Sequence, residues 1–365
     1  MTRCLVLYNS DYDPQCEADL DDLSGARARA DVAHVADAVA DALDGRGFRT
    51  VQVPIRRPAD VVRALRQFSP DVVFNLCESL VSDPRYEPAV VGLLERLGAV
   101  FTGNGQAVLR LCLDKAACNE ALRRAGVPVP SSALVRSVGD LPAALLYPAI
   151  VKPNGEDGST GIHSGSVVHD RAQALAEVAQ LCNAGKSAII QRYISGREVN
   201  IALLGTADNG PMRVLPMAEI DFGEMPPGKP HIVSYAAKWD PESPEWRGTR
   251  VVPASLPEPV VRRLTRLARA VGNALDLGGY ARVDVRIDES DRPYVVDVNP
   301  NCDIGPTAGL SRAAARDGLD YPDLIAAVVQ HALARGAGLP PPDPRLAGAR
   351  IGAPWTHLRT VPCPR

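Results

Sequence analysis

Apolar and polar positions alternate first with the period of a strand and then with that of a helix along the opening third of the chain. The run CLVLY is followed by Val32, Val35, Ala36, Val39 and Leu43 at helical spacing, then by TVQVPI, a helix over 59–68, and DVVFNL. This alternation predicts parallel strands joined by helical crossovers. A helix over 86–97 and a short strand in AVFTGNG close the unit. Between the first strand and helix lies an acidic stretch with Asp11, Asp13, Glu17, Asp19, Asp21 and Asp22, which reads as a solvated loop, with a metal or substrate role as the alternative.

From Asp114 onward the pattern changes. DKAACNEALRRAGVPVP reads as a helix stopped by Gly126 and two prolines, and YPAIVKPNGEDGSTGI as a strand entering a loop with Gly155, Gly158 and Gly161. A helix over 171–181, a strand SAIIQRYI, and β segments over 198–204 and 213–220 follow. The Pro- and Gly-rich stretch 221–250 predicts a long excursion loop of the kind that forms lids. A long helix over 258–275, two alternating segments in ARVDVRIDESDRPYVVDVNPN, and helices over 309–316 and 321–334 complete the periodic part. The tail from 336 is Pro-rich without periodicity and predicts extended or disordered chain. The expected domains are 1–113, 114–194, 195–335 and a tail 336–365.

Composition excludes some functions. The 365 residues are 46% hydrophobic and nearly charge-balanced at −3, so nothing global points to a nucleic acid partner. No run is long and apolar enough for a membrane span or a signal peptide, and a cytoplasmic location is expected. The eight cysteines form no C-x-x-C pair and do not cluster with histidine, which argues against zinc and against a disulfide scaffold. Only Lys115, Lys152, Lys186, Lys229 and Lys238 are lysines among 40 basic residues. Where arginine serves nearly everywhere, a retained lysine suggests a need for a compact charge, such as beside a phosphate.

Two stretches carry candidate chemistry. In KPNGEDGSTGI the glycines allow close backbone approach, and Ser159 and Thr160 add hydroxyls suited to phosphate oxygens; a hairpin turn is the competing reading. In ARVDVRI, alternation puts Arg282, Asp284 and Arg286 on one face and Val283, Val285 and Ile287 on the other. In YVVDVNPN the same period groups Val295, Asp297 and Asn299. If the two strands pair antiparallel through DESDR, Asp284 lies near Asp297, and two carboxylates so placed call for a cation. An oxygen-only set of this kind suits Mg²⁺; the alternative is two solvent-facing polar stripes.

These segments together resemble the ATP-grasp superfamily, and within it the D-alanine–D-alanine ligase group, over nearly all of residues 1–335. YPAIVKPNGEDGSTGI resembles that family's strand and phosphate loop, IIQRYISGREVNIALLG its adenine hinge and ribose segment, and ARVDVRIDESDRPYVVDVNPN its metal-binding strands. The resemblance implies a mixed α/β (α+β) fold of three domains: an N-terminal parallel βαβ domain, and two α+β domains that hold the nucleotide between them. It implies that Lys115 and Lys152 contact ATP phosphates along with Gly158, Ser159 and Thr160. The segment Gln191, Arg192, Tyr193 and Ile194 would read the adenine, and Glu198 would bind the ribose hydroxyls. Asp284, Asp297 and Asn299 would hold one or two Mg²⁺ ions. Lys238 resembles a lid lysine near the γ-phosphate, Arg282 a stabiliser of the reacting group, and Ser159 joins them as a catalytic candidate. A homodimer is implied by the resemblance alone.

The implied activity joins a carboxylate to an amine through an acylphosphate, releasing ADP and phosphate. Departures bear on the substrates. Asp297 stands where glutamate is usual, Trp239 where a substrate-binding tyrosine is common, and FNLCES replaces a histidine-containing segment. NCDIGPTAGLSRAAAR, with Asp303, keeps the outline of the acceptor region without its serines. Glu78, Glu87, Trp239 and Asp303 are therefore the substrate candidates, the partners are small carboxylates and amines, and a pair other than D-alanine with D-alanine is expected. Two alternatives remain at this stage: phosphoryl transfer without amide formation, and a nucleotide-binding regulatory module without turnover.

Overall fold

A computed structural model describes residues 1–10, 23–80 and 83–337. The acidic stretch 11–22 and nearly all of the Pro-rich tail lie outside the described residues. The chain divides into two compact units, 1–102 with 325–365, and 103–324.

The first unit is built on a parallel sheet of β1 (Arg3–Asn9), β2 (Arg49–Ile55) and β3 (Val72–Leu76) in the order β2-β1-β3. Helices α1 (Leu23–Asp44) and α2 (Pro58–Phe68) make the crossovers, and α3 (Glu87–Arg96) follows. Strands covered on both faces read as continuous apolar runs, and β3 is buried at every position. AVFTGNG does not make the expected strand: a single parallel bridge joins Phe101 to Val73.

The second unit begins with α4 (Gln106–Leu113) and α5 (Lys115–Arg124) and holds two antiparallel sheets. One contains β4 (Ser132–Val135), β5 (Ala149–Pro153), β6 (Val167–Val168) and β7 (Ala188–Arg192) in the order β4-β7-β5-β6, with α6 (Arg171–Asn183) packed on it. The other runs β11-β10-β8-β12-β13, from β8 (Arg197–Leu204), β9 (Arg213–Val214), β10 (Ala218–Asp221), β11 (Arg250–Pro253), β12 (Tyr280–Ile287) and β13 (Pro293–Asn299); β9 pairs with β8 off this path. The excursion 221–250 is not structureless, since α7 (Tyr235–Trp239) and α8 (Pro244–Arg247) form within it, each capped by a serine hydroxyl, Ser234 and Ser243.

Helix α9 (Glu258–Leu275) buries Val260, Leu264, Leu267, Val271 and Leu275 at helical spacing against Ile201, Leu203, Val283 and Val285 of the larger sheet. Each such side chain contributes roughly 1.5–3 kcal/mol by leaving water, which fixes the sheet whose opposite face carries the polar residues. Helix α10 (Gly309–Arg316) completes the second unit, and α11 (Tyr321–Gly336) lies mostly in the first.

One expectation about strand faces is corrected. Asp284 does pair with Asp297, but the register shifts at the next step and Val285 pairs with Val295. The bulge inserts Val296 and resets the alternation, so Val295 joins the apolar core with Val283 and Val285. Asp297 and Asn299 keep the polar face, and Val296 accompanies them instead of Val295.

Candidate active site

The polar face of the β12–β13 pair and the β4-β7-β5-β6 sheet enclose a cavity of about 480 Å³. Lys152, Gly158, Ser159, Gln191, Arg192, Tyr193, Ile194, Glu198, Lys238, Arg282, Asp284, Asp297 and Asn299 all line it. Apolar walls come from Ile150, Ile162, Ile220 and Ile232. A pocket with apolar walls and a few convergent charges has the usual form of a small-molecule site.

Lys115 reaches this centre by a local device that the sequence pattern does not display. Asp114 caps α5 by accepting from the Ala117 amide at 2.9 Å, and its carboxylate also accepts from the side chain of buried Asn154 at 3.0 Å. Asn154 in turn accepts the amides of Ala116 and Lys115 at 2.9 and 3.1 Å. The first turn of α5 is thereby bolted to the end of β5, and the Lys115 ammonium lies 3.1 Å from Asp157 and 3.4 Å from Asp297. Burial pulls the Lys115 ammonium toward deprotonation, but Asp297 and Asp157 overcome it and hold its pKa above the usual lysine value. Asp297 shows the converse: burial disfavours its charge, yet Lys115, Lys152 and Arg282 together keep its pKa below the ordinary carboxylate range.

Among the described residues Lys152 has no such carboxylate contact. It donates to Gln191 Oε1 at 3.4 Å, and burial, aided by Lys115, lowers its pKa against the pull of Asp297. Gln191 Nε2 is buried with no acceptor among the described residues. A desolvated ammonium and an orphaned amide donor facing one cavity fit an anionic, acceptor-rich ligand such as a nucleotide.

Arg282 grips Asp284 with Nε to Oδ1 at 2.7 Å and Nη2 to Oδ2 at 2.9 Å, and Asn200 Nδ2 donates to Oδ1 at 2.8 Å. Asp284 is the chief reason the Arg282 pKa lies above its usual value. Oδ1 is thus saturated, whereas Oδ2 keeps a lone pair for a single bond to a cation. Asn299 holds the Asn301 amide at 3.0 Å. Among the described residues no three His, Cys, Asp or Glu side chains gather as a metal cage. Two carboxylates and an amide oxygen fit Mg²⁺, which completes its shell with water and substrate phosphates.

The glycine loop and the excursion are stitched together. Ser159, at a left-handed φ of 63°, donates to the Val233 carbonyl at 2.8 Å, and the Trp239 indole donates to the Gly158 carbonyl at 2.9 Å. Lys238 sits over the Trp239 ring, 4.9 Å from its centroid. The Ser159 hydroxyl is therefore spent on the backbone. Thr160, Trp239 and Asp303 are not among the cavity-lining residues, and Asp303 turns back to accept the Gly305 amide at 2.7 Å. Glu78 and Glu87 belong to the first unit, where Glu87 is buried at the start of α3.

Three contributors escaped the sequence reading, Asn154, Asn200 and Arg312, and a fourth, Arg286, was placed on the polar face with Asp284 but given no role. A charged residue inside an apolar strand was the available signal for Arg286, which shares the face of Asp284 at two-residue spacing. Arg312, on α10, is exposed, lines the cavity, and makes no side-chain hydrogen bond or ion pair among the described residues.

Two antiparallel sheets closing over a shared cavity, with a glycine loop on one and acidic strands on the other, define an ATP-grasp protein. A family profile described as D-ala D-ala ligase C-terminus matches residues 122–330. The D-alanine–D-alanine ligase of Gluconobacter oxydans (strain 621H) is 32% identical over 76% of this chain and 86% of its own length. A protein of Sinorhizobium fredii (strain NBRC 101917 / NGR234) bearing the name uncharacterized protein y4sG is 29% identical over 83% of this chain and 89% of its own length. Among solved structures, a D-alanine–D-alanine ligase from Bacillus anthracis complexed with ATP superposes with a TM-score of 0.70 at 19% identity, covering 92% of this chain and 99% of that one. The chain belongs to the D-alanine–D-alanine ligase family, and is an ATP-dependent, ADP-forming carboxylate–amine ligase. Among the described residues no helix is long and apolar enough to cross a membrane.

Proposed function

We propose that this ligase activates a small carboxylic acid or amino acid and joins it to an amino acid, and that the pair is not D-alanine with D-alanine. The observation that carries the chemistry is the convergence in one cavity of Lys152, Lys238, Arg282, Asp284, Asp297 and Asn299, with Lys115 bonded to Asp297. A substrate carboxylate oxygen attacks the γ-phosphorus of ATP, the bond to the bridging oxygen breaks, and ADP leaves. An amine then adds to the acyl carbon, phosphate departs with the C–O electrons, and loss of the amine proton leaves an amide. Lys115 and Lys152 hold the phosphates, and Arg282 steadies the developing oxyanion. Asp284, Asp297 and Asn299 would hold magnesium, which supplies charge neutralisation at the phosphates. The excursion, already hydrogen-bonded to the phosphate loop through Ser159 and Trp239, keeps water from the acylphosphate.

The change of substrate rests on what the departures do. The Trp239 indole has one donor and spends it on Gly158, so it does not reproduce a phenol that both donates and accepts. Arg312, without a partner among the described residues, is the group we assign to a carboxylate on the acceptor amino acid.

The test uses ATP, Mg²⁺ and hydroxylamine, with a panel of D- and L-amino acids and small carboxylates, and identifies hydroxamates by mass. One acid other than D-alanine giving a hydroxamate is the expected result. D-alanine as the best donor, followed by D-alanyl-D-alanine formation, would overturn the specificity. A phosphorylated acid that accumulates when hydroxylamine is left out, and forms no amide with any amino acid of the panel, would instead establish a phosphoryl transferase.

A further inference from the structure

Four residues beyond Arg282 on the same face of β12, a second arginine occupies a different kind of environment. Arg286 is 4% exposed and lines the cavity. Its register partner on β8 is Glu198, and Nη2 lies 2.9 Å from Glu198 Oε2. The same nitrogen donates to the carbonyl of His231, in the excursion. Nη1 is shared between the carbonyls of Ile194 and Gly196 at 3.4 Å each, in the hinge. The guanidinium carbon lies over the rings of Tyr193 and Phe222, 5.3 and 5.6 Å from their centroids, and the Tyr193 hydroxyl donates to the same His231 carbonyl at 3.1 Å.

We infer that Arg286 is the positioning residue for nucleotide ribose recognition: it clamps one oxygen of Glu198 and presents the other to the sugar hydroxyls, while tying the hinge and the excursion to the same point. This rests on the reading that Glu198 faces the ribose. Glu198 Oε1 accepts no hydrogen bond among the described residues, so it is open to a hydroxyl donor. An enclosed carboxylate deprived of its counter-charge takes up a proton, and a protonated acid is a poorer acceptor for sugar hydroxyls; burial already pushes Glu198 that way, and Arg286 is the foremost opposing charge. Both terminal nitrogens of Arg286 are consumed by these contacts. Its role therefore runs through Glu198 and the hinge, and not through direct contact with the base or phosphates.

Binding of ATP, 2′-deoxy-ATP and 3′-deoxy-ATP separates this role from simple support of the fold. Equilibrium dissociation constants would be measured for the full chain and for Arg286→Met, Arg286→Lys, Glu198→Gln and the double variant Arg286→Met/Glu198→Gln, each checked for native melting. Wild type should favour ATP over at least one deoxy form by about tenfold or more. Arg286→Met should lose most of that ratio, Arg286→Lys should restore part of it, and the double variant should be no worse than the worse single one. If Arg286→Met alone fails to fold, the double variant, which removes both charges, is compared with Glu198→Gln: the two should share the same ratio of ATP to deoxy-ATP affinity, and a further loss of that ratio in the double variant would overturn the inference. Equal weakening for ATP and both deoxy nucleotides in Arg286→Met, or fully multiplicative losses in the double variant, would overturn the inference. Wild type that binds ATP without distinguishing either deoxy form would remove the ribose role of Glu198, and the inference with it, leaving the ligase reading to the hydroxamate test. Wild type that does not bind ATP would overturn both.

Discussion

Arg282 and Arg286 stand four residues apart on one face of one strand, and each holds a carboxylate, yet they are equipped for different work. Arg282 spends Nε and Nη2 on Asp284 and keeps Nη1 uncommitted among the described residues, in a neighbourhood of Asp297, Lys115 and Lys152. Arg286 has both terminal nitrogens taken by Glu198 and three backbone carbonyls, and it lies over the rings of Tyr193 and Phe222. A guanidinium with donors to spare is able to meet charge that develops during reaction, whereas one with its terminal donors consumed only holds other groups in place. The difference lies in the acceptors that the tertiary fold brings to each.

The sharpest way to break the comparison is at the reactive end. Asp297→Ala should lower kcat by about 10³-fold or more while nucleotide affinity changes by no more than about tenfold; unchanged ADP production in that variant would remove Asp297 from the metal set. Next in size, Arg282→Met should cost roughly 10²- to 10³-fold in kcat and leave the preference for ATP over its deoxy forms intact. A loss of that preference would show that the two arginines are not functionally separate. The smallest effect falls at the other end. Gly196 has φ of 114°, and a Cβ there would sit 2.2 Å from the Ile287 carbonyl oxygen. Gly196→Ala should destabilise the protein by about 3 kcal/mol, lowering Tm by roughly 5–10 °C, and weaken ATP binding before it touches kcat. Thermal melts with and without ATP check this.

Much of the architecture was legible because periodicity reports burial. The crossover helices, the antiparallel acidic strands and the amphipathic helix α9 all follow from apolar spacing that only one fold face satisfies. The face of Val295 was misread because a bulge adds a residue to one strand only, and its signal is a break in pairing with a partner that the strand's own alternation does not display. Strands β4 and β11 were missed for a related reason: each is four residues long, too short for a period to register.

By itself the sequence determined which residues carry charge inside apolar segments, and hence that Lys152, Glu198, Asp284 and Asp297 had to find partners within the protein or in a ligand, since burying a lone charge is costly. Only the tertiary structure decided which partners. Asn154 bolts Lys115 beside Asp297, Trp239 closes on Gly158, and Glu198 pairs with Arg286 across the β8–β12 step. These contacts join residues from about 40 to more than 180 positions apart, a separation no local pattern records, because it is set by how sheets and helices pack and not by the run of side chains along any one of them.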